Sequence, residues 1–274
     1  MISIQTLQKM NEREHAFVIP VYRQSPWLQE CIESLLGQST KSGQIVVTTS
    51  TPSPELESVV RQYDLPLLIN PQSKGIASDW NFALHSTPAK LVTIAHQDDS
   101  YFPDYLTQML QQIDRAPEFL IAYCDNVEHK SGEMRRSNLN LRVKRWLTQR
   151  AFKGRSCLSS PEEKLRLLRW GNPVCCPSVI YHRTRLLNFS FSNSFDSNLD
   201  WEAWERLARM EGEFLYVDRP LVSKRVHAGS ETSALIANTR RATEDRQMFD
   251  KFWPRLVSRA ISQVYKLGYL SNKA

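Results

Sequence analysis

The chain has 274 residues, of which 41% are hydrophobic and 23% charged, and its formal net charge is +6. This composition is that of a globular protein and excludes disordered and fibrous classes. No apolar run reaches the ~20 residues that span a bilayer, and residues 1–14 lack the apolar core of a signal peptide, so we expect a cytoplasmic protein. The five cysteines are odd in number and show no CxxC spacing, which argues against a disulfide framework and a zinc site.

Basic residues are concentrated between residues 134 and 161. This segment carries eight Lys and Arg residues and no acidic residue. A local charge of this size favours an anionic partner such as a membrane surface, although a solvated loop is an equal alternative. Nucleic acid is not expected as a partner, because only Trp146 and Phe152 interleave aromatic rings with the charges.

Strands alternate with helices through the first half of the chain. His15–Tyr22 predicts a strand, and Ser25-Pro26 predicts the start of a helix. The alternation continues with strands at 44–49, 66–70, 91–96 and 119–124 and with helices that begin at Ser53-Pro54, Ile76 and Tyr105. This order is typical of a parallel, Rossmann-like sheet flanked by helices. The first strand is not followed by GxGxxG, which excludes a dinucleotide fingerprint.

The second half is less regular. A capping box of Ser160 and Glu163 predicts one helix, and Ser197 with Asp200 predicts the start of another, over 200–211. Strands are predicted at 177–181, 214–217 and 221–226. The segment 233–269 is predicted to be helical with an interruption at Pro254, and its apolar face either packs on the core or lies on a membrane.

Two adjacent carboxylates, Asp98 and Asp99, follow the apolar run 91–95. Ligands of open α/β sheets bind at the carboxyl ends of the strands. Adjacent carboxylates repel each other unless a cation neutralises them, so this pattern indicates a divalent cation that holds a phosphorylated ligand. The alternative is an Asp-Asp-Ser turn without a ligand.

Further motifs occur in a fixed order along the chain. They are FVIPVY at 17–22, SLLGQS at 34–39, GIASDWN at 75–81, HQDD at 96–99, NP at 172–173, CPSV at 176–179, LDWEAW at 199–204 and HAGS at 227–230. The set resembles family 2 glycosyltransferases with the GT-A fold, and the resemblance covers residues 14 to 235. It implies an inverting transferase that uses a nucleotide-sugar donor.

The resemblance also implies roles for individual residues. Asp200 is the expected catalytic base, with Glu202 as the fallback, and Asp98 and His227 are expected to hold Mg²⁺ or Mn²⁺. The expected donor-binding residues are Pro20, Tyr22, Thr49, Ser50, Trp80, Asn81, His96, Asp98 and Asp99. The expected acceptor-side residues are Pro177, Ser178, Trp201 and Glu202. Structural alternatives are that Asp200 only caps its helix, that Trp80 is a core aromatic and that His227 caps Ser230-Glu231.

The same resemblance predicts the domain organisation. An N-terminal tail, 1–14, precedes a GT-A domain at 15–232, and a C-terminal helical extension occupies 233–274. Within the domain, residues 15–125 form the nucleotide-sugar half. Residues 126–232 form the acceptor and catalytic half, with the basic insert 134–161.

Three positions depart from the family pattern. No acid follows the second strand in Thr48–Ser53, where the family contacts the nucleobase; His96 stands where an acid is usual, and Leu199 replaces a glutamate. The leading hypothesis is a metal-dependent transferase acting on a glycan or lipid-linked saccharide in cell-envelope polysaccharide synthesis. We expect it in the cytoplasm, with a peripheral site at the inner face of the membrane. The alternative is a catalytically silent GT-A domain that serves as a binding or assembly subunit; a nucleotidyltransferase is disfavoured because no Gly-rich phosphate loop is present.

Overall fold

The computed structural model describes residues 14–72, 75–227 and 240–267. The strands are β1 (His15–Val21), β2 (Gln44–Thr49), β3 (Leu67–Ile69), β4 (Leu91–Ile94), β5 (Ser100–Tyr101), β6 (Phe119–Lys130), β7 (Glu133–Arg135), β8 (Cys157–Leu158), β9 (Ile180–His182) and β10 (Glu213–Val226). The helices are α1 (Leu28–Leu36), α2 (Pro54–Gln62), α3 (Ile76–His85), α4 (Tyr105–Ile113), α5 (Leu139–Phe152), α6 (Pro161–Leu168), α7 (Leu199–Ala208), α8 (Arg240–Asp250) and α9 (Arg255–Leu267).

The main sheet has the strand order β3-β2-β1-β4-β9-β6-β10-β5. The first four strands of this order are parallel, and β6 is parallel to β10. Strand β9 lies between β4 and β6 and is antiparallel to both. The strands β3, β2, β1 and β4 on one side of it therefore run in the same direction as β6 and β10 on the other side. The mostly parallel α/β sheet is thereby confirmed, and the carboxyl ends of β1, β4, β6 and β10 share one edge.

Most strand and helix positions agree with the sequence, and the differences lie in the second half. Strand β6 continues to Lys130 instead of ending at Cys124. The two predicted strands at 214–217 and 221–226 are one strand, β10, because register shifts against β6 around Pro220 absorb the irregularity. The strand predicted at 177–181 is partly wrong, since Cys176–Ser178 form a 3₁₀ turn in which Pro177 needs no amide partner.

The basic insert is ordered, so the solvated-loop interpretation is wrong for most of it. Its residues form β7 and then α5, which begins where the Asn138 side chain accepts a hydrogen bond from the amide of Leu141 at 2.8 Å. Arg145 pairs with Asp125, and Arg155 pairs with Glu163 at 2.5 Å. Part of the positive charge is therefore used within the fold.

The predicted helix caps are confirmed at two of the four serines. Ser53 accepts from the amide of Leu56, and Ser160 forms the capping box with Glu163. Ser25 is not a cap, because α1 begins only at Leu28 and the Ser25 hydroxyl accepts from the amide of Trp27 instead.

Apolar side chains cover both faces of the sheet. In β1, Phe17 and Ile19 pack with α1, α2 and α4, whereas Val18 on the other face shares a core with α3, α6 and α7. Met248 and Phe249 of α8 are fully buried in this second core, so that the C-terminal helices pack on the domain. Among the described residues, no helix is both long and apolar enough to cross a bilayer. Residues 1–13 of the predicted tail and the predicted boundary between 232 and 233 lie outside the described residues.

One buried histidine makes the stability of the fold sensitive to pH. His15 is fully buried, and its ring nitrogens lie 3.0 Å from Ser42 Oγ and 2.9 Å from Thr93 Oγ1. Burial lowers the pKa of His15 to about 3. Its ordinary value near 6.5 applies to the unfolded chain, which therefore binds the proton first as the pH falls.

We expect this difference to lower the free energy of unfolding by about 2 kcal/mol between pH 7 and pH 5. The His15→Gln variant keeps hydrogen-bonding groups but cannot titrate. Its free energy of unfolding should therefore fall less than that of wild type between pH 7 and pH 5, by about 2 kcal/mol. Urea unfolding of both proteins at the two pH values measures the difference. Equal pH dependence in the two proteins would contradict the assignment.

Candidate functional site

A large cavity lies at the edge where the parallel strands end. Its volume is about 1500 Å³, and its walls come from the ends of β1, β4 and β10, the start of α7, and helices α5 and α9. Cavities for a single small ligand usually span ~300–1,000 Å³. This cavity therefore has room for more than one small molecule.

The predicted acidic pair lies in this cavity. His96, Asp98 and Asp99 each offer a ligand atom, and these atoms lie within 4.8 Å of one another. Asp99 is almost fully buried, and burial followed by the charge of Asp98 raises the pKa of Asp99 well above its ordinary value. Like charges held this close are unfavourable, and a divalent cation beside them would relieve the repulsion.

The two histidines complete a set of donors that fits such a cation. His227 Nε2 lies 3.0 Å from Asp98 Oδ2. The buried Nε2 of His96 has no hydrogen-bond partner among the described residues. Burial lowers the pKa of His96 to about 4, so the ring is neutral at pH 7 and keeps one unprotonated nitrogen. Carboxylate oxygen together with imidazole nitrogen suits Mn²⁺ better than Mg²⁺.

Arg225, which the sequence analysis did not single out, holds the turn that carries the acidic pair. Its amide donates to Asp99 Oδ1 at 2.7 Å, and its Nε donates to the carbonyl of Asp98 at 3.0 Å. Its guanidinium also pairs with Glu30 at 2.5 Å and lies over the ring of Trp27. The sequence signal for Arg225 was the Lys224-Arg225 pair at the end of an apolar strand. Its partners Asp99 and Glu30 lie far away in the sequence, so this pair alone did not predict the contact.

Asp200 lines the same cavity. Its Oδ2 accepts from the Asn172 side chain at 2.9 Å, and its Oδ1 accepts from the amide of Trp201 at 2.7 Å. The predicted capping box with Ser197 is wrong, because the Ser197 hydroxyl donates to Glu244 at 2.7 Å. Burial raises the pKa of Asp200, which makes it a stronger base than an exposed aspartate.

Cations surround these carboxylates inside the cavity. Burial lowers the pKa of Lys224, but nearby acidic groups, Asp99 and Asp200 among them, raise it by more. Lys144 of α5 also lines the cavity, and burial followed by the charge of Lys224 lowers its pKa. The positive charge of Lys224 thus acts on Lys144 within the site.

The cavity brings together most of the predicted catalytic, metal and donor residues. Its walls include Pro20, Tyr22, Trp80, His96, Asp98, Asp99, Asp200 and His227. Trp80 is both a wall and a core residue, since it is 7% exposed and its ring lies 5.1 Å from that of His96. The core-aromatic alternative and the donor role are therefore compatible.

Three predicted donor residues do not line the cavity. Asn81 bonds the backbone of Phe191 through both side-chain atoms, at 2.9 and 2.7 Å. Thr49 is buried and accepts from the amide of Thr51, while Ser50 donates to Asp79 at 2.9 Å. Asp79 does line the cavity, so an acid lies next to the end of β2 although it comes from α3.

The predicted acceptor-side residues also lie outside the cavity walls. The carbonyl of Pro177 accepts from the hydroxyl of Tyr101, and the buried Ser178 hydroxyl bonds the backbone of Cys124. Trp201 is fully buried, and its ring lies 5.1 Å from that of Phe249. Glu202 forms an ion pair with Arg206 at 2.9 Å. These side chains serve packing and hydrogen bonding, and their acceptor role stays a prediction.

The sequence was compared with known families and curated proteins. The pattern of the family described as glycosyl transferase family 2 matches residues 16–187. An uncharacterized glycosyltransferase of Rickettsia prowazekii is 23% identical over 226 residues, which cover 81% of this chain and 66% of that protein. One from Rickettsia typhi is 22% identical over the same shares. The chain thus spans just under two thirds of the length of these curated relatives.

Solved structures share the fold at low identity. S. aureus TarS 1–349 in complex with UDP-GlcNAc has a TM-score of 0.62 and 13% identity, covering 91% of this chain and 70% of that one. The mannosyltransferase PcManGT from Pyrobaculum calidifontis, in complex with GDP-Man and Mn²⁺, has a TM-score of 0.61 and 18% identity, covering 94% and 72%. The family match extends over more than half of the chain, and the fold agrees with it. The chain therefore belongs to glycosyltransferase family 2 and has the GT-A fold.

Proposed function

We propose that this protein is an inverting glycosyltransferase that moves a sugar from a nucleoside-diphosphate donor to an acceptor hydroxyl. The observation that carries the proposal is that the acidic pair, His227 and Asp200 all line one cavity. Complexes of the structural relatives with UDP-GlcNAc and with GDP-Man support a nucleotide-sugar donor.

Asp98 and His227 are the proposed ligands of Mn²⁺ or Mg²⁺, with the orphaned nitrogen of His96 as a further donor. Mn²⁺ complexes of the structural relatives support this cofactor. When bound, the ion neutralises the negative charge that develops on the departing diphosphate. The chain's own contribution is to hold these donors in place, and Arg225 does this for the acidic turn.

Asp200 is the proposed general base. The acceptor oxygen forms a bond to the anomeric carbon while the bond from that carbon to the diphosphate oxygen breaks. The bonding electron pair leaves with the nucleoside diphosphate, and the acceptor proton passes to a carboxylate oxygen of Asp200. One displacement of this kind inverts the anomeric configuration. Asn172 fixes the orientation of the carboxylate through its bond to Oδ2.

Recognition of the nucleotide is assigned to the walls near the end of β1. Pro20 and Tyr22 come from this strand end, and the half-exposed ring of Tyr22 is available to pack on a base. Asp79 provides an acid beside Ser50, although the family's usual acid after the second strand is missing. Its carboxylate already accepts from Ser50 and Asn70, so that base recognition through it depends on the remaining lone pairs.

The acceptor is proposed to be a glycan or a lipid-linked saccharide of cell-envelope polysaccharide synthesis. The protein is expected in the cytoplasm, with a peripheral site on an anionic membrane through the basic insert and the C-terminal helices. Co-sedimentation with anionic vesicles at low salt tests this location, and no binding would remove the membrane part of the proposal.

The alternative is a GT-A domain that binds partners without catalysis. The observation that favours it is the loss of two acidic residues that the family usually has. His96 replaces an acid in the metal-binding motif, and Leu199 replaces the glutamate before the proposed base. A thermal-shift screen of UDP- and GDP-sugars with Mn²⁺ and Mg²⁺ identifies the donor, because ligand binding raises the apparent stability. Donor turnover supports the enzyme, whereas binding without any turnover supports the alternative.

Asp200→Asn should reduce sugar transfer by about 10²–10⁴-fold, because the amide cannot accept the acceptor proton. Release of nucleoside diphosphate measures the rate. Donor binding in the thermal-shift assay should be unchanged. Glu202→Gln, the fallback carboxylate paired with Arg206, should keep most of the activity; the opposite pattern would transfer the role to Glu202.

Asp98→Asn should weaken Mn²⁺ binding by at least tenfold, because one anionic oxygen ligand is lost. The free Mn²⁺ signal in electron paramagnetic resonance measures binding directly. Asp64→Asn is the matched control: Asp64 has φ 52° in a surface turn away from the cavity, a conformation that Asn tolerates. Equal Mn²⁺ affinity of the Asp98 variant and wild type would show that the ion, if it binds, is held elsewhere.

A further inference from the structure

Helix α5 turns an apolar stripe toward the cavity instead of toward the core. Its core-facing residues include Leu141 and Phe152, which are buried. Leu139, Val143 and Trp146, at positions i, i+4 and i+7, line the cavity and are 66%, 46% and 54% exposed. Three large apolar residues exposed in one row of a helix are typical of a binding surface.

A second part of the cavity lining is apolar as well. Ile261, Val264 and Tyr265 of α9 line the cavity together with Trp170, and Val264 is 70% exposed. We call the part of the cavity that these residues of α5 and α9 line the apolar groove. The groove belongs to the same cavity as Asp200 and Asp98, so a molecule lying in it has direct access to the reacting groups.

Two lysines lie where this groove meets the catalytic centre. Lys144 directly follows Val143 on α5, and Lys224 belongs to β10. Both amines line the cavity, and among the described residues neither has a carboxylate within the 4.0 Å of an ion pair, since Asp99 and Asp200 act on Lys224 from further away. Two cationic side chains that line one cavity without a carboxylate in ion-pair contact favour the binding of an anion beside them.

From this arrangement we infer the chemical class of the acceptor: an amphiphile whose phosphate or other anionic group binds beside Lys144 and Lys224 and whose apolar chain lies in the apolar groove. The inference rests on the proposed function and narrows its acceptor. Charge complementarity selects the anion, and continuity with the cavity places the apolar chain next to the catalytic centre.

The test uses the full chain and monomeric decyl phosphate, below its micellar concentration, as the probe. Isothermal titration calorimetry should show that decyl phosphate binds at least tenfold more tightly than inorganic phosphate, which lacks the chain. It should also bind at least tenfold more tightly than decyl glucoside, which lacks the charge. Equal binding of the charged and neutral amphiphiles would overturn the anion site.

Variants separate the two parts of the site. Lys144→Gln should weaken decyl phosphate by at least tenfold and leave decyl glucoside unchanged, and Val143→Ser should weaken both. The matched controls are Arg142→Gln, an exposed neighbour on α5, and Leu256→Ser, a residue of α9 that is 79% exposed; neither lines the cavity. Controls that lose binding as much as the test variants would overturn the proposal.

Two further outcomes distinguish this inference from the proposed function. Binding of UDP or GDP with Mn²⁺ should be unchanged by Lys144→Gln; an equal loss would assign the lysine to the donor and overturn the inference alone. Binding to anionic vesicles without binding to monomeric decyl phosphate would mean that the groove docks on a membrane, which also overturns it. If no nucleotide binds to wild type at all, the proposed function itself fails.

Discussion

The geometry of the site depends on the contact between Arg225 and the turn that follows β4. This turn places two carboxylates at the end of a strand, and nothing in the strand itself would keep them together. The hydrogen bonds from Arg225 to Asp99 and to the carbonyl of Asp98 connect the turn to β10, which lies on the far side of β9 and β6. Asp99 and Arg225 are both largely buried, and His227, two residues after Arg225, lies against Asp98.

The balance of charge in the cavity follows from burial. Asp99 and Asp200 are removed from water, which raises their pKa values, and Lys224 offsets part of this cost for both. The carboxylates are therefore stabilised by a cation of the chain before any ligand binds. In such a site the charged groups are already arranged when the protein folds, so they need less reorganisation during a reaction.

The sequence predicts what is periodic or adjacent, and it misses what is brought together from a distance. Strand β2 and helix α3 have their predicted bounds, and the acidic pair lies where the carboxyl-edge rule puts it. Arg225 could not be assigned, because its partners lie 126 and 127 residues away. The direction of side chains was the other difficulty. Trp201 follows Asp200 directly, but successive side chains of a helix point ~100° apart, and the side chain of Trp201 therefore lies in the core.

The walls of the cavity come from two kinds of element, and this has an evolutionary consequence. The turn after β4 and the strand ends are fixed by the sheet ladder, where a change of register would displace every neighbour. The rows of α5 and α9 are outside the ladder, and substitutions at such exposed helical positions usually change stability by less than ~0.5 kcal/mol. Under the proposed function, acceptor preference can therefore diverge among relatives by substitution on these two helices, while the strand ends that would hold the donor are constrained by the sheet.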